Sequence, residues 1–266
     1  DYTNAAYVGY TATPFANLLA NPTDLKSLYP KDFIFSLNRP NNYFGPEKIF
    51  GRDKIFQISH EDTEDDPDEG MDVIRYIPAE EEELQRHPTK KADRQTWEAP
   101  DPSEIPTLRT AILYFLVATA ARRVRTSKDN DSSMLIHTSM FVDPQNAYQK
   151  PVNKVLSEFR NKIDDLDFLK EIEELWESET KKVPPDEFDN KQIDLDDLWD
   201  ELKRLTYTCS GCDSCIYENS DSTAVNCDQN AVKVVVDNGM SETRLEYGDV
   251  PQVVIAIGGA SSGRAH

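Results

Sequence analysis

The sequence predicts an α/β protein built around a parallel sheet. Three short segments, 133–139, 231–236 and 253–257, are rich in Val, Ile, Leu or Met and have the length of buried strands. Segments with helical periodicity lie between the first two of them. An alternation of strands and helices is typical of α/β proteins, and 266 residues suffice for one large or two small domains.

The strongest helix prediction covers residues 105–126. Pro106 lies near its start, where a missing N–H costs nothing. Three arginines lie near its end, where the helix dipole is negative: Arg122, Arg123 and Arg125. Further helices are predicted over 146–162, 166–182 and 194–204.

The first hundred residues give weaker signals. Residues 5–20 predict a strand, a loop and a short helix, with Thr11-Ala12-Thr13-Pro14 breaking the strand. Residues 21–58 mix Pro, Asn and Gly with aromatic side chains, which predicts an irregular stretch with a short strand near 32–37. Residues 59–104 are acidic and poor in apolar side chains, which favours a surface excursion.

The charge is unevenly distributed along the chain. The net charge is −20, and nearly all of it comes from segments 61–101 (net −10) and 158–202 (net −11). Such segments repel nucleic acid and favour protein partners, while the neutral remainder leaves room for a local basic groove. The acidic helices either dock a partner or form an ordinary packed insertion with a solvated face. Their candidate docking residues are Leu169, Trp176, Leu198 and Trp199.

Nothing in the sequence predicts a membrane segment. No apolar run approaches the roughly 18–20 residues that a spanning helix needs. The first residues, Asp1-Tyr2-Thr3-Asn4, lack the basic and apolar parts of a signal peptide. We therefore expect a cytoplasmic protein.

Four cysteines form the most specific candidate metal-binding motif in the sequence. Two residues separate Cys209 from Cys212 and Cys212 from Cys215, and Cys227 follows. Four thiolates hold Zn²⁺ tetrahedrally, although zinc sites usually pair two Cys-x-x-Cys units. The triple spacing also matches iron–sulfur ligation. Zinc, an iron–sulfur cluster and unliganded thiols all remain open.

One string approximates a nuclease site. Pro185-Asp186 followed by Glu201-Leu202-Lys203 has the residue types that bind Mg²⁺ and a water. Such groups belong on a β-hairpin, however, and residues 194–204 have helical periodicity. We interpret the string as a chance match in an acidic region.

Four stretches together carry a family resemblance. They are residues 7–17 (Tyr-Val-Gly-Tyr-Thr-Ala-Thr-Pro-Phe-Ala-Asn), 28–34 with 43–45, 133–139 and 255–259. In this order they resemble the Z1 domain of proposed endonucleases, a family similar to superfamily 2 helicases and associated with restriction or phage-defence systems. The resemblance covers roughly residues 1–259, apart from the acidic segments and the cysteine loop.

The resemblance implies RecA-like lobes and a domain organisation. Residues 1–58 would be the end of the first lobe and a connector, and 59–104 the acidic excursion. Residues 105–259 would be most of the second lobe, with a helical insertion at 160–205 and the cysteine loop at 206–230. Residues 260–266 do not match and would be a truncation or tag remnant.

The resemblance also implies a function, which is ATP-dependent DNA processing with Mg²⁺ as the nucleotide's metal. Thr11-Ala12-Thr13-Pro14 would couple nucleotide state to lobe movement, unless Thr13 is simply a helix cap. The candidate nucleic-acid or phosphate contacts are His137, Thr138, Ser139, Gly258, Gly259, Arg122, Arg123 and Arg125. A structural role for His137 and helix capping by the arginines stay open as alternatives.

One departure from the pattern bears on activity. The sequence contains no Gly-x-x-x-x-Gly-Lys-[Ser/Thr] loop, whose N–H groups and lysine hold phosphates. We therefore expect an internal fragment of a longer enzyme, inactive by itself. The alternative is a catalytically silent α/β interaction module with an acidic protein-binding surface.

Overall fold

A small parallel sheet organises the chain. The computed structural model describes residues 8–24, 27, 29–35, 37–38, 40, 43–51, 70–188, 190–206, 232–241, 245 and 247–258. Within them, strands β1 (Ser132–Ile136), β2 (Val232–Asp237) and β3 (Val253–Gly258) form a three-stranded sheet in the order β1-β3-β2. Both pairings are parallel. The predicted α/β class and the three predicted strands are confirmed.

The central strand, β3, is buried along its whole length. Its odd-numbered residues, such as Ile255 and Ile257, pack into the large core that the helices form on one face. Its even-numbered residues, Val254 and Ala256, form a small cluster with Val235 on the other face. The strict alternation follows from the pleat of a strand, and burial on both faces explains why the segment has no polar side chain.

The long helices lie where the periodicity predicts them. Helix α5 spans Pro106–Thr126, and the left-handed Ser127 (φ 51°) ends it. Helix α8 spans Leu166–Lys182, and the Asp165 side chain caps it by accepting from the backbone N–H of Asp167 at 2.8 Å. Helix α9 spans Leu195–Thr206, slightly beyond its predicted end. A 3-10 turn at Pro185–Phe188 separates α8 from α9.

The helix predicted over 146–162 is wrong in its bounds. Two helices occupy the region, α6 (Val142–Ala147) and α7 (Gln149–Lys162), with Tyr148 between them. Pro151 lies in the first turn of α7, where its missing N–H costs no hydrogen bond. The break directs the Tyr148 side chain into the core, where it is only 1% exposed.

Helices α5 and α9 form the most extensive helix pair of the core. Leu116 and Ala120 of α5 and Leu198, Leu202 and Leu205 of α9 are all buried. The buried leucines of α9 recur at intervals of four and three residues, as expected for a helix that buries one side. No helix in the described ranges is both long and apolar enough to cross a membrane.

The described residues before residue 52 do not form the two strands predicted for this region. Helices α1 (Phe15–Leu18) and α2 (Pro46–Phe50) are present, but neither residues 8–10 nor the described part of 32–37 form a strand. A strand needs a partner for its backbone groups, and none of the described strands pairs with them. Tyr10 and Phe35 are 91% and 75% exposed.

The described part of the acidic excursion packs against the core. Helices α3 (Ala79–Leu84) and α4 (Lys91–Arg94) precede Trp97, which contacts the main core cluster. Glu81 of α3 accepts hydrogen bonds from the backbone N–H (3.1 Å) and the hydroxyl of Thr107. Its carboxylate thereby caps the positive end of α5.

Candidate functional site

The three strands end together at one edge of the sheet. We call this the carboxyl edge and define it by His137, Ser139, Asn238 and Gly258, which lie at or just after the strand ends. Open parallel α/β sheets bind ligands outside the carboxyl ends of their strands. Polar groups at this edge are therefore the first candidates for function.

His137 lies next to the end of β3. The strand predicted to reach residue 139 ends at Ile136. His137 therefore lies just beyond the sheet, and its side chain is exposed. Its Nδ1 lies 2.8 Å from the carbonyl oxygen of Gly258. A carbonyl only accepts, so Nδ1 carries the hydrogen, and in the neutral ring Nε2 is the acceptor. The contact fixes the ring across the edge.

Ser139 and His87 form a second polar pair. The His87 Nδ1 lies 3.1 Å from the Pro88 carbonyl, which assigns the hydrogen to Nδ1 and leaves Nε2 as the acceptor. Ser139 Oγ lies 2.9 Å from this Nε2 and therefore donates to it. The same oxygen accepts from the backbone N–H of Phe141 at 3.0 Å. This pair fixes the loop between β1 and α6.

Two buried groups lie beneath this loop. Gln145, 2% exposed, donates from Nε2 to the Ser139 carbonyl at 2.8 Å, and its Oε1 has no hydrogen-bond partner among the described residues. Tyr148 donates to Gln85 Oε1 at 3.0 Å. Burial raises the pKa of the Tyr148 phenol to about 12, although a hydrogen bond with Thr138 opposes this rise. The phenol therefore stays neutral at physiological pH.

Asn238 connects the end of β2 to the helices. It is 4% exposed, and its Nδ2 donates to Asn146 Oδ1 of α6 at 3.1 Å. Its Oδ1 accepts from the backbone N–H of Met240 at 3.0 Å. Ser241 completes the turn by donating to the Val236 carbonyl at 2.7 Å. A network of neutral side chains thus spans the edge from β2 to α6.

The predicted arginines lie at the opposite edge. Arg122 donates to the carbonyl of Asn130 and to Ser132, at the start of β1, and Ser132 lies five residues (about 17 Å along an extended chain) from His137. Arg125 donates to the Lys191 carbonyl at 3.3 Å. The structure does not bring Arg122 together with the carboxyl edge.

Arg123 is the third of these arginines, and it is buried. Its side chain is 2% exposed, and Nη1 lies 3.2 Å from Glu201 Oε1. Glu201 also binds Arg204 Nη1 at 2.6 Å, and Arg204 reaches Asp129 at 3.5 Å. Arg123 therefore joins α5 to α9, which is a structural role and not contact with phosphate.

The Glu201-Leu202-Lys203 string lies on α9, as its helical periodicity predicts. Its Glu201 carboxylate is paired with Arg123 and Arg204.

Thr11-Ala12-Thr13-Pro14 forms a local turn. The Thr11 hydroxyl accepts from the backbone N–H of Thr13 at 3.0 Å, and the helix after it begins at Phe15. The residue before that helix is Pro14, with no side-chain cap, so the alternative of a Thr13 cap is wrong. The coupling role of the motif stays a prediction.

Several predicted groups cannot be placed. Gly259, residues 260–266 and the four cysteines Cys209, Cys212, Cys215 and Cys227 lie outside the described residues. Among the residues that are described, no cluster of three or more His, Cys, Asp or Glu is arranged to hold a metal ion. The zinc and iron–sulfur hypotheses stay predictions.

Two of the four predicted docking residues belong to the core. Trp176 and Leu198 are 8% and 1% exposed. Leu169 and Trp199 are partly exposed and line a groove of about 190 Å³ between α8 and α9. Only these two therefore offer a surface to a partner.

The sequence prediction missed several residues at the carboxyl edge. Asn238 carried a usable signal, since it directly follows a predicted parallel strand. His87 and Asn146 carried none, because they come from distant segments that only the fold brings together. Ser139 and His87 are 52 residues apart, and Asn146 and Asn238 are 92 apart.

Comparison with known proteins gives one match. The family model of the Z1 domain matches residues 107–265, which include the whole sheet and helices from α5 onward. The match also runs through residues 260–265, which were predicted not to match the family. No curated protein and no solved structure matches the chain.

Proposed function

We propose that this chain, which belongs to the Z1 domain family, is part of a helicase-like, ATP-dependent DNA-processing protein of the endonuclease type. The observation that carries the proposal is the polar carboxyl edge of a parallel sheet inside the matched residues. In such sheets this edge is the usual nucleotide-binding position. The sheet would belong to a RecA-like second lobe.

Within this proposal the edge residues contact phosphate or nucleic acid. His137 presents an exposed ring whose Nδ1 donates to the Gly258 carbonyl. In the neutral ring Nε2 would therefore accept from an amino or hydroxyl group of a nucleic acid, not from a phosphate oxygen, which has no hydrogen to donate. Thr138 follows it and is exposed, whereas Ser139 is buried with its hydroxyl bonded to His87 and Phe141, so it would position the loop without contacting the ligand. Gly258, and Gly259 outside the described residues, would allow a backbone to approach closely. Thr11-Ala12-Thr13-Pro14 would couple nucleotide state to movement. ATP and Mg²⁺ would need a phosphate-holding lysine from outside these 266 residues, which contain no Gly-x-x-x-x-Gly-Lys loop.

Salt-dependent DNA binding tests this proposal. A labelled single strand is titrated with the 266-residue chain by fluorescence anisotropy at several NaCl concentrations. We expect binding that weakens as salt rises, because phosphate contacts release counterions. A His137→Ala variant should bind more weakly, while Lys170→Ala on the exposed side of α8 should not change. Absence of binding at low salt would contradict the proposal.

A second candidate function has its own observation. The groove between α8 and α9 is lined by Leu169, Leu198 and Trp199, and Leu166 nearby is 74% exposed. An acidic surface around an apolar groove fits a basic, amphipathic protein segment. The second candidate function is therefore that of an interaction module, which would bind a basic helical peptide and would not bind DNA.

A further inference from the structure

A buried cation lies beside the carboxyl edge. Arg94 of α4 is 8% exposed, and its guanidinium carbon lies 3.7 Å from the centroid of the Phe141 ring. Phe141 belongs to the loop between β1 and α6, and its backbone N–H donates to Ser139 Oγ in that loop. The guanidinium therefore lies against the chain that leaves the sheet at this edge.

Arg94 has no anionic partner among the described residues. Arg123 and the partly buried Arg109 both pair with glutamates. Arg94 instead donates from Nη1 to the Thr89 carbonyl and forms no salt bridge within the described part of the chain. Arginines are almost never buried unless they are paired, so an unpaired one asks for an explanation. A bound anion supplies one.

The guanidinium keeps hydrogen-bond donors that a ligand can reach. Its Nε is buried without a partner, and no ligand could contact it. Its Nη2 has no partner in the described residues either, but this atom is not buried and so reaches solvent. The stacked Phe141 ring and the bond to Thr89 fix the plane of the guanidinium. A fixed guanidinium loses little conformational freedom when it binds an anion.

Two lysines directly precede this turn of helix and are also unpaired. Lys90 and Lys91 are exposed, and neither forms a salt bridge with a described residue. They stand four and three residues before Arg94, whose backbone N–H donates to the Lys90 carbonyl at 3.1 Å. Positions with this spacing are neighbours on one face of a helix. Three cations without carboxylate partners therefore lie close together.

A phosphate group suits these three cations. Guanidinium groups bind phosphate and carboxylate oxygens through paired N–H donors. A phosphate has more oxygens and more charge than a carboxylate, so one guanidinium and two ammonium groups can share it. Segment 61–101 is net −10 as a whole, so the affinity would come from direct contacts and not from long-range attraction.

We propose that Arg94, Lys90 and Lys91 bind a phosphate group beside the carboxyl edge. Arg94 Nη2 would donate to a phosphate oxygen, and the two lysines would neutralise the remaining charge. The phosphate comes either from the backbone of a nucleic acid or from a free phosphate compound. Only the first source rests on the proposed function, to which it adds a cation at an edge of mostly neutral side chains.

Phosphate-dependent binding tests the proposal on the 266-residue chain. A labelled single strand of about 12 nucleotides and a strand of the same sequence with a neutral methylphosphonate backbone are titrated by fluorescence anisotropy. Inorganic phosphate is titrated separately by calorimetry. If the phosphate comes from a strand, the charged strand should bind roughly tenfold more tightly than the neutral one, and its affinity should fall as salt rises.

Matched variants separate the site from general charge. Arg94→Met keeps an apolar side chain on the Phe141 ring and should weaken phosphate or strand binding by roughly tenfold. For a strand, it should also lower the salt slope by about one. Its melting temperature should change little, because no ion pair is lost. Arg86→Gln removes an exposed arginine that is already paired with Glu82 and Glu83, and this control should change neither binding nor slope.

The outcomes distinguish this inference from the proposed function. Phosphate binding that Arg94→Met abolishes, with no strand binding by the wild type, supports the site with a free phosphate compound as its source and contradicts DNA binding. If Arg94→Met binds every probe as the wild type does, the site is overturned, and strand binding in that case leaves the proposed function intact. Binding of no probe by the wild type overturns both.

A second variant keeps the test decisive if Arg94→Met does not fold. The double variant Lys90→Gln with Lys91→Gln changes only exposed side chains and should therefore fold. It should weaken phosphate or strand binding by roughly threefold or more, with a lower salt slope for the strand. Wild-type affinity and slope in the double variant would overturn the site.

Discussion

The two edges of the sheet use polar residues in opposite ways. At the amino edge, Arg122 and Arg123 are directed at carbonyls or carboxylates of the same chain, and Arg123 is buried with Glu201. At the carboxyl edge the side chains are mostly neutral. Gln145 beneath it keeps a buried oxygen without a hydrogen bond, as Arg123 at the amino edge keeps its Nε and Nη2. The comparison teaches that a run of arginines in a sequence does not by itself mark a binding face, because these cations are directed at acceptors of the same chain.

Arg123→Met should produce the largest loss of stability. It leaves Glu201, a nearly buried carboxylate, without one of its two arginine partners, and breaking such a pair costs roughly 3–5 kcal/mol. Urea denaturation followed by circular dichroism measures the change. DNA binding by the folded fraction should not change, because the amino edge is structural.

The matched control is the double variant Arg123→Met with Glu201→Leu. Replacing both charges by apolar side chains of similar size should recover most of the lost stability. If the single variant instead abolishes DNA binding while its unfolding midpoint is unchanged, the amino edge is a binding face and the comparison between the edges is wrong.

Ser139→Ala should cost less, about 1–3 kcal/mol in the free energy of unfolding. The change removes the acceptor for the backbone N–H of Phe141 and the donor to His87 Nε2, and Ser139 itself is 6% exposed. Urea denaturation checks it, with Ser133→Ala, on the exposed face of β1, as the control. Equal stability of the two variants would mean that the Ser139–His87 pair does not fix the loop.

His137→Ala should separate binding from stability. Its side chain is exposed and makes one described hydrogen bond, to Gly258, so the loss of stability should be about 0.5–1.5 kcal/mol. Loss of one ligand hydrogen bond should weaken binding of a single strand by roughly two- to tenfold. Anisotropy and a thermal melt measure the two effects. A large fall in melting temperature without a change in affinity would assign His137 a structural role.

The smallest expected effect is a pH dependence at the ion pair between Asp101 and Lys154. The hydrogen bond from Lys154, with further bonds from Ser103, lowers the pKa of Asp101 to about 2. Because the folded pKa lies below the unfolded value of about 3.9, the ion pair stabilises the fold above about pH 4. That contribution is lost as the pH falls through about 2. A carboxyl ¹³C NMR titration checks the midpoint, which Lys154→Gln should move up towards the ordinary value.

Much of the fold was predictable because local signals agree with the tertiary contacts. Pro106 and the arginines bracket α5, Asp165 starts α8, and the apolar run from Val253 needs burial on both faces. The prediction was wrong where such agreement fails. Residues 32–37 have the composition of a strand but no described partner. The helix predicted over 146–162 breaks at Tyr148, where Pro151 has no N–H to donate to the Ala147 carbonyl, a local signal that the periodicity alone does not register.

The candidate site was predictable only in part. His137 and Gly258 were named from a strand end and a glycine turn, and the structure places them 2.8 Å apart at Nδ1 and the carbonyl oxygen. The position of Trp97 was not predictable, because it comes from an acidic segment that composition assigns to the surface and yet packs against the main core.

Hydrogen–deuterium exchange with and without a bound single strand tests the central claim most directly. The claim is that the carboxyl edge is the binding face, while the amino edge, where β1 begins, is structural. The account predicts slower exchange at residues 137–141 and 238–241 on binding, and no change at 122–132. Protection confined to 122–132 would contradict it and would make the arginines the DNA-binding residues.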